Sequence, residues 1–201
     1  MGARTPYRRF TLFCEGQNTE PAYCHALAAR FQGTIVQIAI VPAAGVPMTI
    51  AEKAVEAKGA PRRKKDSYEE NDEVWAVFDR DDHPNHDRAI RLCEDKGVGV
   101  ARSNPCFEVW LLLHLRDYDK PAGRKTVQDL LQTHLPEYDA RARKIPDCRR
   151  LLAQLSAAEQ RAERQLTARF NKGKAFDPPS TTVFHLTRAI AEAAAQSGRP
   201  A

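Results

Sequence analysis

Two stretches of this chain place acidic side chains where a sheet would gather them. Glu15 stands directly after residues 9–14 (RFTLFC), a short run rich in β-forming residues. Asp79 follows residues 73–78 (EVWAVF), a second such run, and Asp81 and Asp82 come right behind it. Ligands of parallel α/β sheets bind outside the carboxyl ends of the strands, so carboxylates delivered by two strands meet at one edge. Asp79 and Asp81, separated by one residue, point the same way in extended chain. An incomplete set of oxygen ligands with room for water and phosphate suits Mg²⁺ or Mn²⁺. Such an ion polarises a phosphoryl oxygen and generates a hydroxide nucleophile. Asp after a strand also serves as a turn residue or helix cap, which is the competing role for Asp81 and Asp82. Glu is a weak cap, and Glu15 fits that role less well.

A third stretch is Ser103-Asn104-Pro105-Cys106-Phe107-Glu108, leading through Trp110 and three leucines to His114. Ser103 or Asn104 can cap a helix that Pro105 helps to start. Glu108 then lies in the first turn, where negative charge is favoured. In so apolar a helix a buried Glu108 needs a partner or a metal. Residues two apart on a helix differ by about 200°, so Glu108 and Trp110 cannot face one site. His83 and His86, close to the aspartates, are either loop histidines, substrate contacts or ligands of a transition metal; Pro84 interferes with helical ligand spacing.

The elements that must position these residues alternate in the first half. Strands are expected over 9–14, 34–41, 73–78 and 98–101, with helices over 21–31, 47–58 and 87–96 between them. Such alternation implies crossover connections and a mainly parallel sheet covered on both faces. After Pro105 no strand is expected. Helices are expected over 106–115, 125–133, 146–170 and 180–196. The reading is an α/β core of residues 1–103 carrying a helical half, 104–201, packed on it as a single compact unit. A length of 201 residues suits one domain, and 42% hydrophobic with 28% charged residues is ordinary for a globular protein. The start of the sequence does not read as a secretory signal and no apolar run is long enough to span a membrane. Five cysteines without a CxxC pair argue against a zinc knuckle or a disulfide framework and for a cytoplasmic setting.

The net charge of +5 points to a polyanion if the cations are patchy. Arg62, Arg63, Lys64 and Lys65 form a compact run in a polar loop ahead of the strand that delivers Asp79, placed to guide a phosphate backbone. Arg141, Arg143, Lys144, Arg149 and Arg150 form a second cluster, and Arg161, Arg164 and Arg169 continue along a helix with Glu159 and Glu163 interspersed.

Together these stretches resemble the RloB-like family, whose core is similar to the Toprim fold. The matching residues are Cys14 through Glu20 (CEGQNTE) with Tyr23, Val77 through Asp81 (VFDRD), Ser103 through Glu108, Leu113-His114, and more weakly Pro179 through Val183 (PSTTV). The resemblance implies a Toprim-like three-layer α/β core with a short, mainly parallel sheet and a C-terminal helical extension. By position, it implies a Mg²⁺ site (Mn²⁺ also suits) at Glu15, Asp79 and Asp81, with Glu15 a general-base candidate. Glu108 joins the catalytic candidates, and Glu20, Asp82, Asn104 and His114 form a second tier. The implied activity is hydrolysis of nucleic-acid phosphodiesters in anti-phage defence, on DNA or RNA, tRNA included. The alternative is a non-catalytic regulator that binds nucleic acid or nucleotide. The chain has no GxxxxGK[ST] motif, so an ATPase would have to be a partner protein; a homodimer is a further assembly to consider. OLD-type nucleases use a lysine near the site, and Lys96 and Lys125 are the two candidates for it.

Overall fold

A computed structural model describes residues 8–34, 36–42, 45–60, 72–80, 84–142 and 145–196. Arg62, Arg63, Lys64, Lys65, Asp81, Asp82, His83, Arg143 and Lys144 lie outside the described residues. Four parallel strands, β1 (Arg8–Cys14), β2 (Val36–Pro42), β3 (Glu73–Asp79) and β4 (Gly99–Asn104), stand in the order β2-β1-β3-β4. β3 is central and buried along nearly its whole length, as expected of a strand covered on both faces.

Helices α1 (Thr19–Arg30), α2 (Pro47–Gly59) and α3 (His86–Asp95) make the crossovers. α1 packs on the face carrying Phe10, Leu12, Trp75 and Val77, while α2 and α3 cover the other, with Phe13, Ala76 and Phe78. Crossovers between parallel strands are right-handed. The step leftward from β1 to β2 therefore places its helix on one face, and the rightward steps to β3 and β4 place theirs on the other. The direction reverses between β1 and β3, which makes their carboxyl ends the topological switch point.

The C-terminal half adds α4 (Glu108–Leu115), α5 (Arg124–His134), α6 (Cys148–Leu151), α7 (Leu155–Phe170) and α8 (Val183–Ala195). α4 is buried from Glu108 to His114, in keeping with a helix that is apolar all round. The helix expected over 146–170 is instead divided, with a 3₁₀ turn at Leu152–Gln154 between α6 and α7. The break lets α6 pack on α1 while α7 packs on α4 and α8. Among the described residues no helix is long and apolar enough to cross a membrane.

The expectation of no strand after Pro105 is corrected by β5 (Ser180–Thr181), antiparallel to the end of β4. Two residues are too short to show alternation, and hydroxyl groups reinforce the backbone pairing, which Thr182 N–H extends by donating to Arg102 O at 2.8 Å. Ser103 Oγ and Thr181 Oγ1 lie 3.0 Å apart. Thr182 Oγ1 accepts from Arg102 N–H at 3.0 Å and donates to Val100 O at 3.2 Å, satisfying the edge of β4 where β5 has ended. Thr182→Val keeps the shape and loses both bonds. It is expected to cost about 1–3 kcal/mol, with Thr182→Ser close to wild type, as read by urea denaturation.

Candidate functional site

Glu15 continues the β1–β3 ladder, its N–H donating to Val77 O at 3.0 Å, and its Oε2 accepts the Asp79 N–H at 3.1 Å. The two acidic residues thus meet at the switch point, Glu15 through the backbone of Asp79. Pleat alternation sends residue 15 to the side opposite Cys14, and Glu15 is not among the residues lining the adjoining cavity. The following loop and the first turn of α1 bring Glu20 into that cavity instead.

The cavity is about 180 Å³ in volume, and three acids, Glu20, Asp79 and Glu108, line it with Arg124, Gln128 and Tyr138. Each acid comes from the carboxyl end of a different strand: Asp79 ends β3, Glu20 follows β1 and Glu108 follows β4. Trp110 is fully buried in the core and does not line the cavity.

The three acidic residues are buried, at 5–6% exposure. Arg124 donates from Nη1 to Asp79 Oδ2 at 2.9 Å, while Asp79 Oδ1 is buried without a hydrogen-bond partner among the described residues. Burial, then the negative field of Glu20, pushes the Asp79 carboxyl well above the usual carboxylate range; Arg124 counters this and Glu108 and Glu15 add to it. Burial also raises Glu20, with Glu108 adding to it, against hydrogen bonds from the backbone of Glu20 and Gly16 and the field of Arg124. Tyr138 donates its hydroxyl to Glu108 Oε1 at 2.7 Å and so fixes that carboxylate.

The site can take a cation because three acids face one arginine, their oxygens are donors, and Asp79 Oδ1 has no partner among the described residues. Among the described residues no three His, Cys, Asp or Glu side chains are grouped to hold a metal by themselves. Asp81, the remaining acid expected there, lies outside them.

Gly16 fits this arrangement closely. A Cβ added to it would overlap Glu20 Oε2 and lie 2.6 Å from Oε1. Gly16→Ala therefore makes the Glu20 carboxyl, the far end of a flexible side chain, swing aside, at an expected cost of up to about 1 kcal/mol, the low end of overpacking. A second change, Glu20→Ala, should recover most of that loss; urea unfolding of the single and double variants checks it.

Other expected residues stand elsewhere. His114 lies in an aromatic cluster with Tyr23 and Trp110, away from the cavity. Its Nδ1 carries the hydrogen, because it faces the Trp110 carbonyl at 2.9 Å, and Nε2 accepts from Tyr23 Oη at 3.1 Å. Burial pushes its pKa down to about 4, so it is neutral. Asn104 donates to Phe176 O at 2.7 Å and ties down the turn between α7 and β5. His86 is buried under Phe78 on the opposite face of the sheet. Lys96 follows α3 ahead of β4, at the amino edge of the sheet, and Lys125 is exposed on α5. Among the described residues the cation lining the cavity is Arg124.

The basic stripe on α7 is largely engaged within the protein. Arg161 donates to the carbonyls of Leu113 and His114, Arg164 pairs with Asp117, and Arg169 pairs with Asp119. Arg141, Arg149 and Arg150 are exposed.

Sequence reasoning missed Arg124, Gln128 and Tyr138, which reach Asp79 and Glu108 across 20–45 residues of chain. One local signal existed for Arg124. It begins α5, where a cation opposes the helix dipole, and its partner is a carboxylate from outside the helix.

Fold and site define an α/β protein with an acid-lined cavity at the switch point of a mainly parallel sheet. The family model for RloB-like proteins matches residues 10–190, and the chain belongs to that family. No curated protein and no solved structure matches it.

Proposed function

We propose that this protein is a divalent-cation-dependent nuclease of Toprim type, acting on nucleic-acid phosphodiesters in anti-phage defence. The observation that carries the reading is Asp79: a buried acid at the switch point, one oxygen without a partner among the described residues, sharing its cavity with Glu20 and Glu108. The strand order β2-β1-β3-β4 with acids after β1 and β3 is compatible with a Toprim-like core.

Asp79 and Glu20 would hold Mg²⁺ or Mn²⁺, with Glu15 bonded to the Asp79 backbone behind them and Asp81, by its place in the sequence, the further candidate ligand. The bound ion would polarise the phosphoryl group and lower the pKa of a water. Glu108, oriented by Tyr138, accepts the proton of the attacking water. Arg124, half-exposed and tied to Asp79, supplies a guanidinium for a non-bridging phosphate oxygen.

The test is incubation of the purified protein with plasmid, linear duplex, single-stranded DNA and total RNA, in Mg²⁺, Mn²⁺ or EDTA. Cation-dependent cleavage of at least one substrate is expected. No cleavage of any, with or without an ATPase partner, overturns the reading. The second reading is a non-catalytic regulator that binds nucleic acid or nucleotide. It is favoured by the lack of a complete three-ligand metal group among the described residues, and cleavage that survives loss of Asp79 is incompatible with the catalytic assignment.

A further inference from the structure

We propose that the turn between α7 and β5 is a docking platform for single-stranded nucleic acid, on which an unstacked base packs against Phe176 and Arg102 while Lys172 and Lys174 meet the phosphates. The proposal rests on the reading that the substrate is nucleic acid and adds which form of it is bound.

The turn has the sequence Phe170-Asn-Lys-Gly-Lys-Ala-Phe176, two aromatics framing two lysines. It is an ordered structure. Lys174 N–H donates to Arg169 O and Gly173 N–H to Phe170 O, both at 2.9 Å, and Gly173 adopts φ +70°, the left-handed conformation that ends a helix in this way. Asn104 holds the carbonyl of Phe176 at 2.7 Å. This ordered turn leaves Phe170 71% and Phe176 37% exposed. They are the two aromatic residues among the exposed large hydrophobics of the described chain. Lys172 and Lys174 are exposed and form no ion pair among the described residues.

Arg102 explains why the platform suits a base and its phosphate. Its guanidinium lies 3.2 Å from the centroid of the Phe176 ring, and no carboxylate among the described residues pairs with it. Burial lowers its pKa to about 10, with the fields of Glu94 and Asp87 acting against that, so the charge persists at neutral pH. Stacking leaves guanidinium N–H groups free for an anion. Beside the pair lies a cavity of about 390 Å³ with Trp75, Glu94, Val100, Thr182 and His185 in its walls, within the size range of small-ligand sites; the one acid there can accept from a base amino group, while the lysines of the turn meet the phosphates. A base presents a π-face to Phe only when it leaves its own stack, and a duplex offers this turn nothing but phosphates.

Location ties the platform to the acid-lined cavity. Asn104, which anchors Phe176, ends β4, and its neighbour Ser103 pairs with Asp79. From that anchor the platform extends along β4 toward Val98 and Gly99 at the amino end of the strand, so a strand held on the turn reaches the carboxylates only past Asn104.

The test is fluorescence anisotropy in EDTA with a labelled oligothymidine or oligouridine strand and with a duplex. Phe176→Ala is expected to weaken single-strand binding about tenfold, Phe176→Trp to restore it, and duplex binding to stay within about twofold. Lys172→Ala and Lys174→Ala should each lower the salt slope by about 0.7. Equal weakening of both forms, or none in Phe176→Ala and the more exposed Phe170→Ala, overturns the platform. Single-strand binding through Phe176 in a protein that cleaves nothing supports the platform and sinks the nuclease reading. Cleavage with binding indifferent to both phenylalanines does the reverse.

Discussion

Asp79→Asn is expected to lower cation-dependent cleavage about 10³-fold, the equivalent of the several kcal/mol that a bound ion supplies to the transition state. The same change should not lower the stability of the metal-free protein. Asparagine keeps the shape of the side chain and removes a charge that burial and the neighbouring acids already disfavour. The pH dependence has a definite sign. The folded pKa values of Asp79 and Glu20 lie above their ordinary values, so over that window the folded state binds more protons than the unfolded one. Stability from these groups is present below about pH 4 and is lost as pH rises through the folded values. Urea midpoints in EDTA should therefore decline from acid to neutral pH in wild type and less steeply in Asp79→Asn. Mg²⁺ should restore stability at neutral pH and have little effect at pH 4, where protons compete for the same oxygens. Equal slopes for wild type and variant would show that Asp79 is not the buried titrating group, and undiminished cleavage would remove it from the site.

Arg124→Ala is expected to reduce cleavage by about 10²–10³-fold, the cost of losing one well-placed donor to a developing oxyanion. The fall should appear mainly in kcat if the guanidinium meets the transition state and mainly in KM if it only binds phosphate. A stability measurement isolates its other role. Arg124 is the one cation paired with Asp79 among the described residues, so its loss leaves the acids without that counter-charge. Melting temperature in EDTA at neutral pH should fall, and the rise produced by Mg²⁺ should be larger than in wild type. Arg124→Lys keeps the charge and loses the planar fork, so it should recover the stability but little of the kcat. A Mg²⁺ response identical in wild type and Arg124→Ala would separate Arg124 from the cation-binding acids.

Local sequence determined the strands and the placement of acids after them. β-branched and aromatic runs ended at Glu15 and Asp79, and strand–helix alternation required crossovers, so both residues had to reach one edge of the sheet. The apolar helix from Glu108 to Leu115 was also legible, since a lone acid in such a run needs a buried partner. Tertiary structure decided the rest. Which acids share a cavity depended on pleat side and on the first turn of α1; these made Glu20, rather than Glu15, a lining residue. Arg124 and Tyr138 reach the site through the folding of α5 and the following turn onto α4, a contact with no local pattern. β5 exists because the backbone of Ser180 and Thr181 and the hydroxyl groups of Thr181 and Thr182 find the open edge of β4, a pairing too short to have its own periodicity. Residues that act through their own strand or helix are written into local sequence. Those that act by meeting a distant partner are fixed only when the layers pack, because burial and the field of neighbouring charges come from the assembled molecule.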